Sequence, residues 1–107
     1  MIHISIILIN YNSAQDTLEC LKSLQKIKAT HYKYSIIIVD NASKEPFELP
    51  GMFENEPITV LHSQSNKGFT GGNNMAMYYA VEQYNSDYVL LLNNDTIVDE
   101  DFLKELL

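Results

Sequence analysis

Asn93-Asn94-Asp95 follows the apolar run Val89 to Leu92. A carboxylate at the end of a rigid apolar strand is placed to hold a hard cation. Mg²⁺ or Mn²⁺ typically takes one or two carboxylates and completes its shell with substrate phosphate oxygens. Asp95 is therefore the candidate metal ligand, set against the plainer reading of a strand-ending turn, which Asn and Asp both favour. A second segment runs Asn66-Lys67-Gly68-Phe69-Thr70-Gly71-Gly72-Asn73-Asn74. Its glycines let the backbone approach a bound group, and N–H groups at a helix start attract phosphate or sugar oxygens, with Lys67 adding a positive charge. The spacing matches neither a P-loop nor the dinucleotide fingerprint, so a simple glycine-rich helix entry competes with the binding reading. Asp40-Asn41 and Asn10-Tyr11-Asn12 end two further apolar runs. Their carboxylate and amides can pair with the edge of a pyrimidine while Tyr11 offers a face for stacking; taken singly, each also reads as an Asx turn.

These segments need elements to carry them. Ile4 to Ile9 is short, β-branched and apolar on both alternating positions, the pattern of a strand buried on both faces of a parallel sheet; Tyr34 to Val39 is a second all-apolar strand, and Ile58 to His62 and Tyr88 to Leu92 give a third and a fourth short strand. After the first strand, Ser13 with Asp16 three residues on resembles a capping box, and Leu18, Leu21, Leu24 and Ile27 repeat at helical spacing. Pro46, Pro50, Gly51 and Pro57 break any regular pattern between Lys44 and Pro57, which predicts a loop with at most one irregular helical turn. Ser63 to Gly72 reads as a polar loop, with a helix from about Asn73 to Tyr84. A last helix holds Phe102, Leu103 and Leu106, its opening turn capped by Asp99. Strands alternating with helices imply a mostly parallel sheet of about four strands covered on both faces. In such sheets ligands bind beyond the carboxyl ends of the strands, the edge that carries Asn10, Asp40, Asn41, Asn94 and Asp95.

Composition narrows the class of partner. The 107 residues suit one domain, spanning 1–107, and 46% apolar with 20% charged residues is ordinary for a globular fold. A net charge of −7 disfavours a nucleic-acid backbone or an anionic membrane surface and suits a divalent cation. Much of that charge is simple surface, since Glu45, Glu48, Glu54 and Glu56 crowd one loop. The single cysteine, Cys20, sits in an apolar helical pattern where packing is expected rather than chemistry, and it forms no internal disulfide. With no signal-peptide pattern at Met1 to Ile9 and no apolar run near the roughly 20 residues of a membrane helix, the expected location is cytoplasmic.

Taken in order, Ser5-Ile6-Ile7-Leu8-Ile9-Asn10-Tyr11-Asn12, Ile38-Val39-Asp40-Asn41-Ala42-Ser43, Asn66 to Asn74 and Leu91-Leu92-Asn93-Asn94-Asp95-Thr96 resemble the family 2 glycosyltransferases across essentially the whole chain. The Asp-Asn-Ala-Ser and Asn-Asn-Asp-Thr versions look like the rhamnosyltransferase-like members. The resemblance implies a three-layer, Rossmann-like GT-A fold and the nucleotide-sugar-binding half of an enzyme of polysaccharide biosynthesis, with the acceptor-binding half and the catalytic base expected beyond Leu107. No catalytic residue is assigned within the chain. The resemblance places Asn10, Tyr11, Asn12, Asp40 and Asn41 at the nucleobase and ribose. It places Asn66 and Gly71-Gly72-Asn73-Asn74 at the donor pocket, and Asn93, Asn94 and Asp95 at the DXD motif that joins metal to diphosphate. Only Asp95 is acidic there, and Asn41 stands where many relatives carry Asp. The implied reaction is inverting transfer of a sugar from a UDP- or dTDP-linked donor to a hydroxyl of a saccharide or glycolipid, with Mn²⁺ or Mg²⁺, in a full-length protein at the inner face of the cell membrane. Two alternatives are weighed. One is a non-catalytic nucleotide-binding module. The other is a sugar nucleotidyltransferase, whose glycine-rich basic loop is replaced here by Asn10-Tyr11-Asn12-Ser13. An exposed apolar edge and self-association of the chain are also expected.

Overall fold

The computed structural model describes residues 1–28, 31–66 and 68–106; Lys67 and the side chain of Phe69 lie outside the described residues. Four strands, β1 (Ile2–Asn10), β2 (Tyr32–Asn41), β3 (Ile58–Ser63) and β4 (Tyr88–Leu91), alternate with α1 (Ala14–Leu24), α2 (Gly68–Tyr84) and α3 (Phe102–Leu106). They form one parallel sheet in the order β3-β2-β1-β4. The all-apolar strand runs are explained by what covers each face. Ile4, Ile6 and Leu8 of β1 join Ile36 and Ile38 of β2 under Cys20, Leu21 and Leu24 of α1, with Phe47, Phe53 and Leu103 closing that core. Ile7, Ile37 and Val39 face the other way, against Ala76 and Ala80 of α2. Each fully buried Ile or Leu contributes about 1.5–3 kcal/mol of transfer free energy, so both helices are held by the sheet more than by their own propensity.

The proline-bearing segment contains one 3₁₀ turn, Gly51–Phe53, as its sequence suggests. Two local expectations are corrected. Ser13 begins α1, but its side chain makes no capping hydrogen bond; its hydroxyl is taken by Asn10 and Asn94 instead. Helix α2 starts at Gly68, not near Asn73, so Gly71 and Gly72 are helical rather than part of a loop. Close packing accompanies the second difference: a Cβ built on Gly72 would lie 2.9 Å from Ile9 Cδ1, so glycine lets the helix lie this close to β1 without moving the far end of that side chain. Gly68 itself has φ +71°, which turns the chain into the helix.

Register aligns the strand ends. Asn10 lies beside Asp40, Asp40 beside His62, and Asn41 beside Ser63. The carboxyl edge of the sheet is thus polar across three neighbouring strands, while the apolar residues stay in the layers above and below. Among the described residues no helix is long and apolar enough to cross a membrane.

Candidate nucleotide-binding cleft

Strands β1, β2 and β3 extend the sheet in one direction, and β4 then pairs with the opposite side of β1. That reversal opens a crevice beyond the ends of β1 and β4, where ligands characteristically bind in open α/β sheets. A cavity of about 410 Å³ lies there, lined by Ile9, Tyr11, Asn41, Asn66, Gly68, Leu92, Asn93, Asn94 and Asp95. Residues from all three polar segments meet in it. Tyr11 is 49% exposed beyond β1, so its ring is accessible, while Ile9 and Leu92 supply an apolar floor.

The segment at the start of α2 is held by amides. Asn41 Nδ2 donates to Asn66 Oδ1 and to the Gly68 carbonyl, both at 3.1 Å, and the Gly68 N–H donates to Asn66 Oδ1 at 2.7 Å. Asn41 therefore shapes the cavity wall by fixing the entry to α2. Gly71, Gly72, Asn73 and Asn74 do not line the cavity: Gly72 and Asn73 are buried against the sheet and Asn74 is on the outer surface. Being inside the helix, Gly72 serves close packing on Ile9.

Asn10 and Asp40 are likewise turned inward, 1% and 2% exposed. Asn10 Nδ2 donates to Asp40 Oδ1 at 3.1 Å and to Ser43 Oγ at 3.3 Å. The Phe47 N–H donates to Asp40 Oδ2 at 2.8 Å, and His62 Nδ1 stands 3.4 Å from that oxygen. Burial alone would raise the Asp40 carboxyl above its ordinary value. The hydrogen bonds from Ser43, Phe47 and Asn10, with the nearby His62, outweigh burial and hold it below. Asn12, at φ +50°, joins the two loops: its N–H donates to Ser43 Oγ, and its Oδ1 accepts from the Lys44 N–H at 2.7 Å. Asn10, Asn12 and Asp40 thus brace the loops that frame the cleft, a job no single motif announces.

Asp95 and Asn93 are exposed at the mouth of the cleft, and Asn94 is half-buried. Among the described residues no group of three or more His, Cys, Asp or Glu is arranged to hold a metal. One carboxylate flanked by amide oxygens is a hard-oxygen set of the kind Mg²⁺ and Mn²⁺ accept, but too small to hold either alone. Such an ion needs oxygens from a ligand. Beneath this loop Cys20 is fully buried, and burial, with the Asp95 charge, pushes its thiol up to about 11.

Sequence reading missed the part that Thr17, Ser13, Ser43 and His62 play in the polar bracing. Ser13 and Thr17 are four apart at the start of α1, the register of β2 and β3 places His62 beside Asp40, and Ser43 reaches back to Asp40 from the turn after β2. Polarity at those positions was the available signal.

The glycosyl transferase family 2 sequence model matches residues 5–107. The chain is 30% identical over 103 residues to the low-salt glycan biosynthesis hexosyltransferase Agl10 of Haloferax volcanii, covering 96% of this chain and 31% of that protein. It is 27% identical over 92 residues to the uncharacterized glycosyltransferase YwdF of Bacillus subtilis, covering 86% of this chain and 32% of that protein. The chain therefore spans about a third of the length of these curated relatives. The crystal structure of S. aureus TarS 1–349 in complex with UDP-GlcNAc superposes with a TM-score of 0.80 at 22% identity, over 98% of this chain and 30% of TarS 1–349. The UDP complex of TarS 1–349 gives 0.79 at the same identity, over 98% of this chain and 31% of that one. A parallel sheet flanked by helices, the cleft at its switch point and a family match over nearly every residue agree: the chain belongs to glycosyl transferase family 2.

Proposed function

We propose that this chain is the donor-binding part of a glycosyltransferase, one that moves a sugar with inversion from a UDP- or dTDP-linked donor to a hydroxyl of a saccharide or glycolipid. The observation that carries the proposal is the cleft at the β1/β4 switch point, which brings Tyr11, Asn41 and Asn66 to one cavity with Asn93, Asn94 and Asp95. TarS, which shares the fold, holds UDP-GlcNAc, and that donor class suits a cleft with an accessible aromatic ring at one side and a carboxylate at the other. Tyr11 offers a stacking face to the base. Gly68 brings the start of α2, whose dipole favours an anion, to the cavity wall, and Asp95 together with diphosphate oxygens would hold the cation. Mn²⁺ or Mg²⁺ would supply positive charge against the departing diphosphate. This chain's own residues hold the donor and keep its diphosphate end at the Asn93–Asp95 loop. The acceptor and the base that takes its proton belong to parts of the protein outside these residues, with the reaction on the cytoplasmic face of the cell membrane and its product a polysaccharide or glycolipid, rhamnosyl transfer included.

Calorimetric titration with UDP or dTDP, with and without Mn²⁺, tests the reading. Asp95→Asn keeps size and turn-forming ability while removing charge, so the fold should survive and metal-dependent affinity should fall. The control is Asp99→Asn. Asp99 Oδ1 accepts the Asp101 N–H at 2.9 Å in the turn before α3, and Asn serves there too, so stability should change by less than about 1 kcal/mol and nucleotide binding not at all. Wild-type affinity in Asp95→Asn with Mn²⁺ present would reduce the segment to a turn. No metal-dependent binding by the wild type would leave a nucleotide module without a cation.

A further inference from the structure

Between the Asn94 loop and the tip of β2 the polar side chains form one directional chain. Asn94 Nδ2 donates to Ser13 Oγ at 2.8 Å and to Thr17 Oγ1 at 3.0 Å. Thr17 in turn donates to Asn10 Oδ1 at 2.7 Å, and Ser13 more distantly to the same oxygen at 3.5 Å. Asn10 Nδ2 passes the sense on to Asp40 Oδ1 and Ser43 Oγ, and Ser43 donates to Asp40 as well. A hydroxyl has one hydrogen and an amide has distinct donor and acceptor ends, so these bonds can all form only if they run the same way. The chain ends on the one group that accepts and never donates, the Asp40 carboxylate. Among the described residues no buried side-chain N or O lacks a partner, so the alternative of a loosely satisfied pocket does not apply.

We propose that Thr17 is a positioning residue for the donor site: it fixes the amide of Asn94, and through it the adjoining Asp95, from the buried bracing on the nucleobase side of the cleft. The inference rests on reading the cleft as a nucleoside diphosphate site. Thr17 is fully buried on α1 and does not line the cavity, so it has no route to direct ligand contact. Its hydroxyl is nevertheless the shortest link between the β4 loop and Asn10. The polarity of the chain has a counter-intuitive consequence. Asn94→Asp adds an acid beside Asp95, which by charge alone should favour a cation. It also removes both donors, so Ser13 and Thr17 either turn their hydrogens to the new carboxylate and leave Asn10 Oδ1 without a donor, or keep Asn10 and leave the loop without its anchor; either way the chain of bonds between Asp40 and the loop is broken.

The test is calorimetric titration of UDP in Mn²⁺, with thermal melts, for wild type, Thr17→Val, Thr17→Ser, Asn94→Asp, Asp95→Asn and the double variant Thr17→Val/Asp95→Asn. Thr17→Val keeps shape and loses the hydroxyl, and affinity should fall about tenfold. Thr17→Ser restores the hydroxyl and should bind within about twofold of wild type, even if its lost methyl lowers the melting temperature. If Thr17 acts through Asp95, the double variant should bind no more weakly than Asp95→Asn alone. Asn94→Asp should weaken binding, and because it lies on a partly exposed loop it decides the matter should Thr17→Val not fold. Wild-type affinity in Thr17→Val, independent losses that add in the double variant, or tighter binding by Asn94→Asp would overturn the proposal while leaving the donor site standing. If Asp95→Asn itself binds UDP as wild type does in Mn²⁺, the metal assignment fails and the coupling to Asp95 fails with it.

Discussion

Asp40 shows how far a residue's type can be from its use. A carboxylate at a strand end invites a ligand, yet this one is buried and takes hydrogen bonds from Asn10, Ser43 and Phe47. Its carboxyl is held below the ordinary value, so its contribution to stability is complete above the unfolded value of about 3.9 and is lost as pH falls through the folded value. Asp40→Asn places amide hydrogens where donors already converge. It should cost about 2–4 kcal/mol at pH 7 and flatten the acid limb of a stability profile measured from pH 2 to 6 by urea denaturation. Cys20 yields a second outcome at this scale. With its thiol pushed up to about 11 and no exposed surface, it should resist a thiol reagent such as iodoacetamide at pH 8 in the folded protein and react at once in denaturant. The cleft residues legible in the sequence, Tyr11 and Asn93 to Asp95, are those whose place follows from a strand ending just before them. Thr17 was not legible, because a threonine inside an amphipathic helix has no evident partner until the β4 loop, far along the chain, folds over it.

Strands β1 and β2 were readable because burial on both faces leaves no polar alternation, and Ile6, Ile7, Leu8, Ile36, Ile37, Ile38 and Val39 are all at most 3% exposed, whereas β3 and β4 are only partly buried. Helix α2 was readable at its end and not at its start. Gly68, Gly71 and Gly72 signal a loop locally, yet all three lie in α2, where Gly72 packs on Ile9. Gly72→Ala tests that account. The substitution gains about 1 kcal/mol of helix propensity, but its Cβ must displace the far end of Ile9, which lines the cleft. The melting temperature should therefore change little while affinity for UDP falls, as paired thermal melts and titrations would reveal. Gly68→Ala is the opposite case: nothing crowds the site, but φ +71° penalises any Cβ, so stability should drop by about 1 kcal/mol with the cleft's lining otherwise kept.

At the scale of the molecule, β4 is an outer strand with one edge unpaired among the described residues, and Tyr88 and Leu91 on it are 55% and 44% exposed, with Ile97 beyond them at 65%. An open apolar edge is a template for another chain, so the protein should associate as its concentration rises. Light scattering across a concentration series would detect this, and Leu91→Lys should suppress it; a strictly monomeric wild type would count against the edge as the cause. The same strand governs how the molecule comes together. Contacts between β1 and β2 join residues about 30 apart in sequence, whereas the β1 to β4 side closes over 84. Closing the longer loop costs about 0.9 kcal/mol more in chain entropy if nothing is yet folded, and less once the intervening elements have condensed. The β1–β2–β3 portion with its bracing loops should thus form ahead of β4. During synthesis the Asp95 loop emerges after these three strands, on a surface whose Asn10, Thr17 and Asp40 are already in place, so the carboxyl edge of the sheet acts as a mould against which β4 sets its register.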